Sequence, residues 1–171
     1  MLDENTGQLV ARWAIRIAVA CYVLRVGVEL RGRKFELWIA PIWTVGFCFF
    51  LVHLFFVFDA FHDWSHSAAV EFTAEETQRI VGIRRGEGVW VNYVFAVVWL
   101  LDCGRLWVGR SREGPRKRGV DLAVHTFFAV MMFSATVVFG PAVYLGLAPL
   151  VACFWFVCWK SRLSFGNDEL N

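Results

Sequence analysis

The sequence predicts an all-α integral membrane protein: one domain, residues 1–171, folded as a helical bundle of about five transmembrane helices. Three observations carry that reading. Hydrophobic residues make up 58% of the chain and mean hydropathy is +0.52, above the range of ordinary soluble domains. Apolar segments close to the roughly 20 residues needed to cross a hydrocarbon core recur along the chain. Basic residues bunch in the short stretches between them. Backbone groups in lipid must be satisfied within the protein, so spans are helices or closed barrels. Continuous apolar runs of this length do not read as the alternating strands of a barrel.

The elements follow in order. Residues 1–8 are polar and acidic (Asp3, Glu4) with no positively charged start, so no cleavable signal peptide is expected. Residues 9–30 form the first span. Arg12 and Arg16 can snorkel from one end of it, and Arg25 and Glu29, spaced i,i+4, can pair near the other. A basic turn, 31–34, leads to the second span, 37–60, with Pro41 in its first turns, where a missing N–H costs least. The polar stretch 63–88 follows as an extramembrane loop. Thr73 and Glu76 read as a capping box that starts a short helix at 74, ended by Gly82, with Gly86 and Gly88 as a flexible turn. The third span is 89–108, with Asn92, Trp99 and Asp102 roughly on one face and Asp102 placed to pair with Arg105. Residues 109–119 hold Arg110, Arg112, Arg116, Lys117 and Arg118, the densest positive cluster. The fourth span is 121–140, closed by Gly140 and Pro141. Residues 142–159 are a fifth span or, because Gly146 and Pro149 interrupt them, a re-entrant or interfacial hairpin.

Charge placement orients the bundle. Basic loops stay cytoplasmic. Five spans then put the N-terminus and loop 63–88 outside, with loop 109–119 and the C-terminal Lys160 and Arg162 inside, in a bacterial inner membrane. The net charge of +2 gives no reason to expect nucleic acid. The five cysteines lie in apolar surroundings and form neither a disulfide framework nor a CxxC knuckle.

The chemistry-bearing residues concentrate at the end of the second span. Three of the four histidines, His53, His62 and His66, fall within residues 53–66. On a helix turning about 100° per residue, Asp59, His62, Asp63 and His66 share about a third of the circumference. Two imidazoles at i,i+4 with flanking carboxylates form a candidate site for Zn, Fe, Mn or Cu. Glu71, Glu75 or Glu76 from the same loop could join it, and Glu71 and Asn92 could support it from outside the ligand set. The competing reading is a hydrogen-bonded patch where the helix leaves the bilayer. His53 lies within the hydrocarbon, as a candidate haem ligand, a proton relay, or a neutral histidine bonded to a neighbouring helix. Its depth disagrees with that of His125, which argues against one haem iron held between the two.

Known enzyme patterns are largely excluded. Four histidines are too few for a histidine-box desaturase. Glu75, Glu76 and Arg79 miss the EExxxR spacing of CAAX-type membrane proteases by one residue, and the chain is too short for a seven-span ceramidase-like hydrolase. There is no P-loop, GxGxxG or GxSxG. The absence of an internal repeat argues against a transporter.

His53, Ala60, Phe61, His62, Trp64, Ser65, His66, Ala69, Glu71, Thr73, Ala74, Thr77, Gly82, Gly86, Gly88, Asn92, Tyr93, Trp99 and Asp102, at these spacings, resemble a family of small multi-pass membrane proteins of planctomycete bacteria. The resemblance covers about residues 50–105. It implies membrane location and brings no activity with it. Two functions remain from different classes. One is a membrane protein with a His/Asp metal or haem site at its outer face. The other is a non-catalytic accessory or scaffold subunit that binds a protein partner through loop 63–88.

Overall fold

A computed structural model describes residues 4–32, 37–110, 118–138, 140 and 143–168. Arg33, Lys34, Arg112, Arg116, Lys117 and Pro141, which figured in the loop and turn expectations, lie outside the described residues. The described chain is helical, with no strand. Its helices are α1 (Glu4–Arg31), α2 (Ile39–Phe61), α3 (His66–Val81), α4 (Gly88–Arg110), α5 (Arg118–Phe133), which widens into a π-helical turn Ser134–Val138, and α6 (Val143–Asp168). Four of them contain segments long and apolar enough to cross a membrane: Ile39–Phe61, Gly88–Val108, Gly119–Val138 and Val143–Arg162. α1, along which Arg12, Arg16, Arg25 and Glu29 are spaced, falls outside that set.

The bundle is held by small residues on α1 and aromatic residues elsewhere. α1 runs antiparallel to α2, with Gly7 beside Ala60, Ala11 beside His53 and Cys21 beside Gly46. Its inward stripe of Ala11, Ala14, Ala18 and Cys21 is buried and lets the two backbones approach closely. A Cβ at Gly46 would sit 2.9 Å from the Cys21 Cβ and 3.1 Å from Cζ2 of Trp99, so the crossing of α1, α2 and α4 needs glycine there. α4 returns antiparallel to α2; its Trp99 stacks on Phe50 and lies tilted against Phe47 and Trp43, and its Phe95 meets Phe50 edge-on. α5 is antiparallel to α4 and inserts Phe128 against Trp43, Phe95 and Trp99. The result is one aromatic core shared by α2, α4 and α5, with α1 packed against it. α6 lies parallel to α1: Tyr144 meets Arg16, the Trp155 indole donates to the Val23 carbonyl at 3.0 Å, and Arg162 packs by Gly32.

Two expectations change. Within the 142–159 stretch, the described residues from Val143 onward form one continuous helix, Val143–Asp168, that passes through Pro149, so the hairpin alternative is not what forms. Its Pro removes a single backbone bond. α3 starts eight residues earlier than the capping-box reading, at His66. Ser65 is the N-cap, its hydroxyl accepting from the Ala68 amide at 3.2 Å. Thr73 is mid-helix and donates back to the Ala69 carbonyl at 2.8 Å. Gly82 ends α3 with φ +79°, as its position suggested.

Because successive long helices alternate in direction, the helix ends at Arg31, Arg110, Arg118 and Arg162 gather at one end of the bundle. α3 and the first residues of α1 occupy the other.

Candidate functional site

At the α3 end, the run that gathers the histidines does not stay helical. α2 stops at Phe61, His62 caps it, Asp63 and Trp64 turn with φ of +43° and +58°, and α3 begins at His66. The i,i+4 spacing that would aim both imidazoles at one ion on one helix is therefore broken by the turn between them. The two imidazoles enter separate surroundings. His66 Nδ1 lies 3.1 Å from the Tyr93 hydroxyl, its ring stacked on Tyr93 and edge-on to Trp90. His62 is buried edge-on to Phe58 and Phe72, and its Nδ1 has no hydrogen-bond partner among the described residues. Burial pushes its imidazole below the usual histidine range, opposed more weakly by the neighbouring Phe61 backbone.

The carboxylates of the run go elsewhere. Asp59 accepts from the Trp64 indole at 3.2 Å, and Asp63 is exposed on the turn. Glu71 pairs with Arg84 on the outer surface of α3, and Glu76 pairs with Arg79 at 2.5 Å. Asn92 is exposed, because Tyr93 is the α4 residue whose side chain turns toward His66. Among the described residues, no three of His, Cys, Asp and Glu converge closely enough to hold a metal ion. The arrangement is an aromatic seat that fixes α3 on the ends of α2 and α4.

His53 donates from Nδ1 to the Ala11 carbonyl at 2.9 Å and so ties α2 to α1. His125 sits against Glu29 at 3.1 Å. Ala11 and Glu29 are eighteen residues apart on α1, about 27 Å at 1.5 Å per residue. The two histidines therefore serve opposite halves of the bundle, as their sequence depths implied.

That opposite half holds a chain of charges, buried at its centre and partly exposed at its ends. His125 meets one oxygen of Glu29, and the other accepts from Arg25 Nε at 2.9 Å. Arg25 Nη1 reaches Asp102 Oδ2 at 2.8 Å, and Asp102 Oδ1 accepts from Arg105 at 2.6 and 2.9 Å. Arg105 continues to Asp121 at 2.5 Å. The chain thus links α1, α4 and α5. Side chains of Arg25 and Asp102 are only 2% and 1% exposed, so this is a desolvated pair. The Arg25 guanidinium also lies 4.1 Å from the centre of the Trp43 ring, over its negative face. Beside the chain, between α1, α5 and α6, a shallow open cleft of about 490 Å³ is lined by Tyr22, Glu29, His125 and Trp155 among others.

The local pairs of this chain were legible as i,i+4 and i,i+3 spacings. Its central link, Arg25 to Asp102, spans 77 positions and leaves no local pattern. No protein-family model, curated protein or solved structure matches the chain.

Proposed function

We propose that the protein is a non-catalytic accessory or scaffold subunit of a bacterial inner membrane that presents α3 to a protein partner on the outer side. One observation carries this reading: His62 and His66 are used to seat α3 against aromatic residues rather than to gather one ion. The helix so fixed leaves Ile80 and Val81 exposed between its charged residues, with one side of the seat residue Phe72 also open. Such mixed surfaces suit a polar-rimmed protein interface. The orientation follows the gathering of basic helix ends at the far end of the bundle. On this reading α1 crosses the membrane beside α2. Its inward charges are neutralised in the buried chain, and its outward arginines lie near the α3-side boundary. The resemblance to the planctomycete membrane family supports the location alone.

A second reading keeps a metal or haem at the outer face, with His62, His66, Asp59 and Asp63, or His53, as ligands. It is favoured by the buried and unpartnered Nδ1 of His62. One set of measurements separates the two. Photo-crosslinkers placed at Ile80 and Val81 in native membranes should give a discrete protein adduct, while the same probe at lipid-facing Leu101 should not. Protein purified without a His-tag should carry no stoichiometric metal and no Soret band. About one Zn, Fe or Cu per chain, lost in His62→Ala or His66→Ala, overturns the scaffold reading in favour of the second, as does a Soret band lost in His53→Ala.

A further inference from the structure

The outward face of α1 carries two arginines one turn apart, Arg12 and Arg16, both exposed on a helix packed lengthwise into an apolar bundle. Among the described residues no carboxylate pairs with either. Two like charges at i,i+4 repel, and an arginine side by side with hydrocarbon is costly unless an anion or water meets it. The surroundings of Arg16 are ordered. Its guanidinium lies 4.8 Å from the centre of the exposed Trp13 ring, and its Nε donates to the Tyr144 hydroxyl at 3.1 Å. That bond uses the Tyr144 oxygen as acceptor and leaves the phenolic proton available to donate.

Depth identifies the missing anion. Tyr144 is the second residue of α6, whose membrane-length segment Val143–Arg162 has 20 residues. At 1.5 Å per residue that is about 30 Å, the thickness of a hydrocarbon core. The start of α6 is therefore where hydrocarbon gives way to headgroups. Arg16 reaches that level because helical side chains lean toward the N-terminus, and Arg12 lies one turn nearer the α3 end. Arginine forks match phosphate oxygens in pairs, and the exposed Trp13 and half-buried Tyr144 are the aromatic types that settle at this boundary.

We propose that Arg12, Arg16 and Tyr144, flanked by Trp13, form a binding site for the phosphodiester of a membrane phospholipid in the leaflet on the α3 side. The two guanidiniums share the phosphate, the Tyr144 hydroxyl donates to it, and the acyl chains run down the apolar surface of α1 and α6. With two cations and no carboxylate at the site, a lipid of net negative charge is preferred over a zwitterionic one. The occupant is a lipid rather than free phosphate, because the site faces sideways into the bilayer.

The test is native mass spectrometry of the full-length protein in mild detergent, titrated with phosphatidylglycerol, phosphatidylethanolamine, diacylglycerol or inorganic phosphate. One phosphatidylglycerol should bind tightly, phosphatidylethanolamine less tightly, and diacylglycerol, which lacks the phosphate, not at all. Arg12→Gln/Arg16→Gln should weaken phosphatidylglycerol binding at least tenfold. Tyr144→Phe and Arg16→Lys, which disturb the fold least, should each weaken it several-fold, with unchanged thermal unfolding in lipid-free detergent. Equal binding of diacylglycerol overturns the proposal. So does unchanged affinity in Tyr144→Phe and Arg16→Lys, or displacement of the lipid by equimolar inorganic phosphate, which would make the site one for a soluble anion.

Discussion

Asp102 joins two guanidiniums, and its loss leaves Arg25 with Glu29 alone and Arg105 with Asp121 alone, with the buried side of Arg25 unpaired. Breaking a buried ion pair by removing one partner typically costs about 3–5 kcal/mol, much more than the pair contributes against apolar replacements. Asp102→Ala should therefore lower the thermal unfolding midpoint in detergent sharply, and Arg25→Met/Asp102→Leu should recover most of the loss. A single variant that melts like the parent would show that water or detergent solvates this chain. His62 makes a different prediction, from its depressed pKa. Its folded value lies below the unfolded value of about 6.5. Above about pH 6.5 both states hold the ring neutral, and stability is at its full value. As the pH falls below that, the unfolded state takes up the proton first, and stability is lost until the folded pKa is reached. His62→Phe should flatten this part of the stability profile between pH 7 and 5. An identical slope in the variant would assign the pH dependence to other groups.

At the scale of elements, the turn between α2 and α3 and the seat beneath α3 decide what the outer face presents. Ser65 caps α3 and Thr73 does not. Ser65→Ala should cost about 1 kcal/mol, the usual value of an N-cap, whereas Thr73→Ala should leave stability nearly unchanged. The reverse order, measured by thermal unfolding of both variants, would restore the capping box at Thr73 that the local sequence suggests. The loop that follows α3 folds back onto its first turns in a close approach. A Cβ at Gly86 would fall 2.6 Å from the Val70 carbonyl oxygen, and backbone cannot move aside as a flexible side chain does. Gly86→Ala should therefore loosen α3 and quicken proteolysis in the 63–88 region without unfolding the long helices.

For the whole molecule, the alternation of the long helices is the property with the widest consequence, since it brings Arg31, Arg110, Arg118 and Arg162 to one side. If that side is cytoplasmic, a membrane-impermeant maleimide applied to intact spheroplasts should label Glu75→Cys and spare Lys160→Cys, with labelling of both after lysis. Labelling of Lys160→Cys alone in intact cells would invert the orientation. The native thiols should add little background, because they are either buried (Cys21, Cys103, Cys158) or exposed on membrane-spanning helices (Cys48, Cys153). The bundle itself depends on the crossing at Gly46. Gly46→Leu should separate α1 from α2 and displace Trp99, and the expected readout is loss of the folded monomer in detergent chromatography.

What the sequence determined by itself was what local chemistry can determine. Apolar runs of membrane length make helices because lipid offers the backbone no other partner. The end of α3 at Gly82 follows from a residue that tolerates positive φ, and the pairs Arg25–Glu29 and Asp102–Arg105 follow from helical spacing. The tertiary structure decided the rest. The reading of Asp59, His62, Asp63 and His66 as one helical face assumed that α2 continued, and only packing against Phe72, Tyr93 and Trp90 shows why the chain turns there. The joining of Arg25 to Asp102, and of Arg16 to Tyr144 across 128 positions, depends on which helices lie side by side. Periodicity reports which face of a helix is apolar. It does not report which neighbour that face meets, because apolar burial has no direction and accepts any partner of fitting shape.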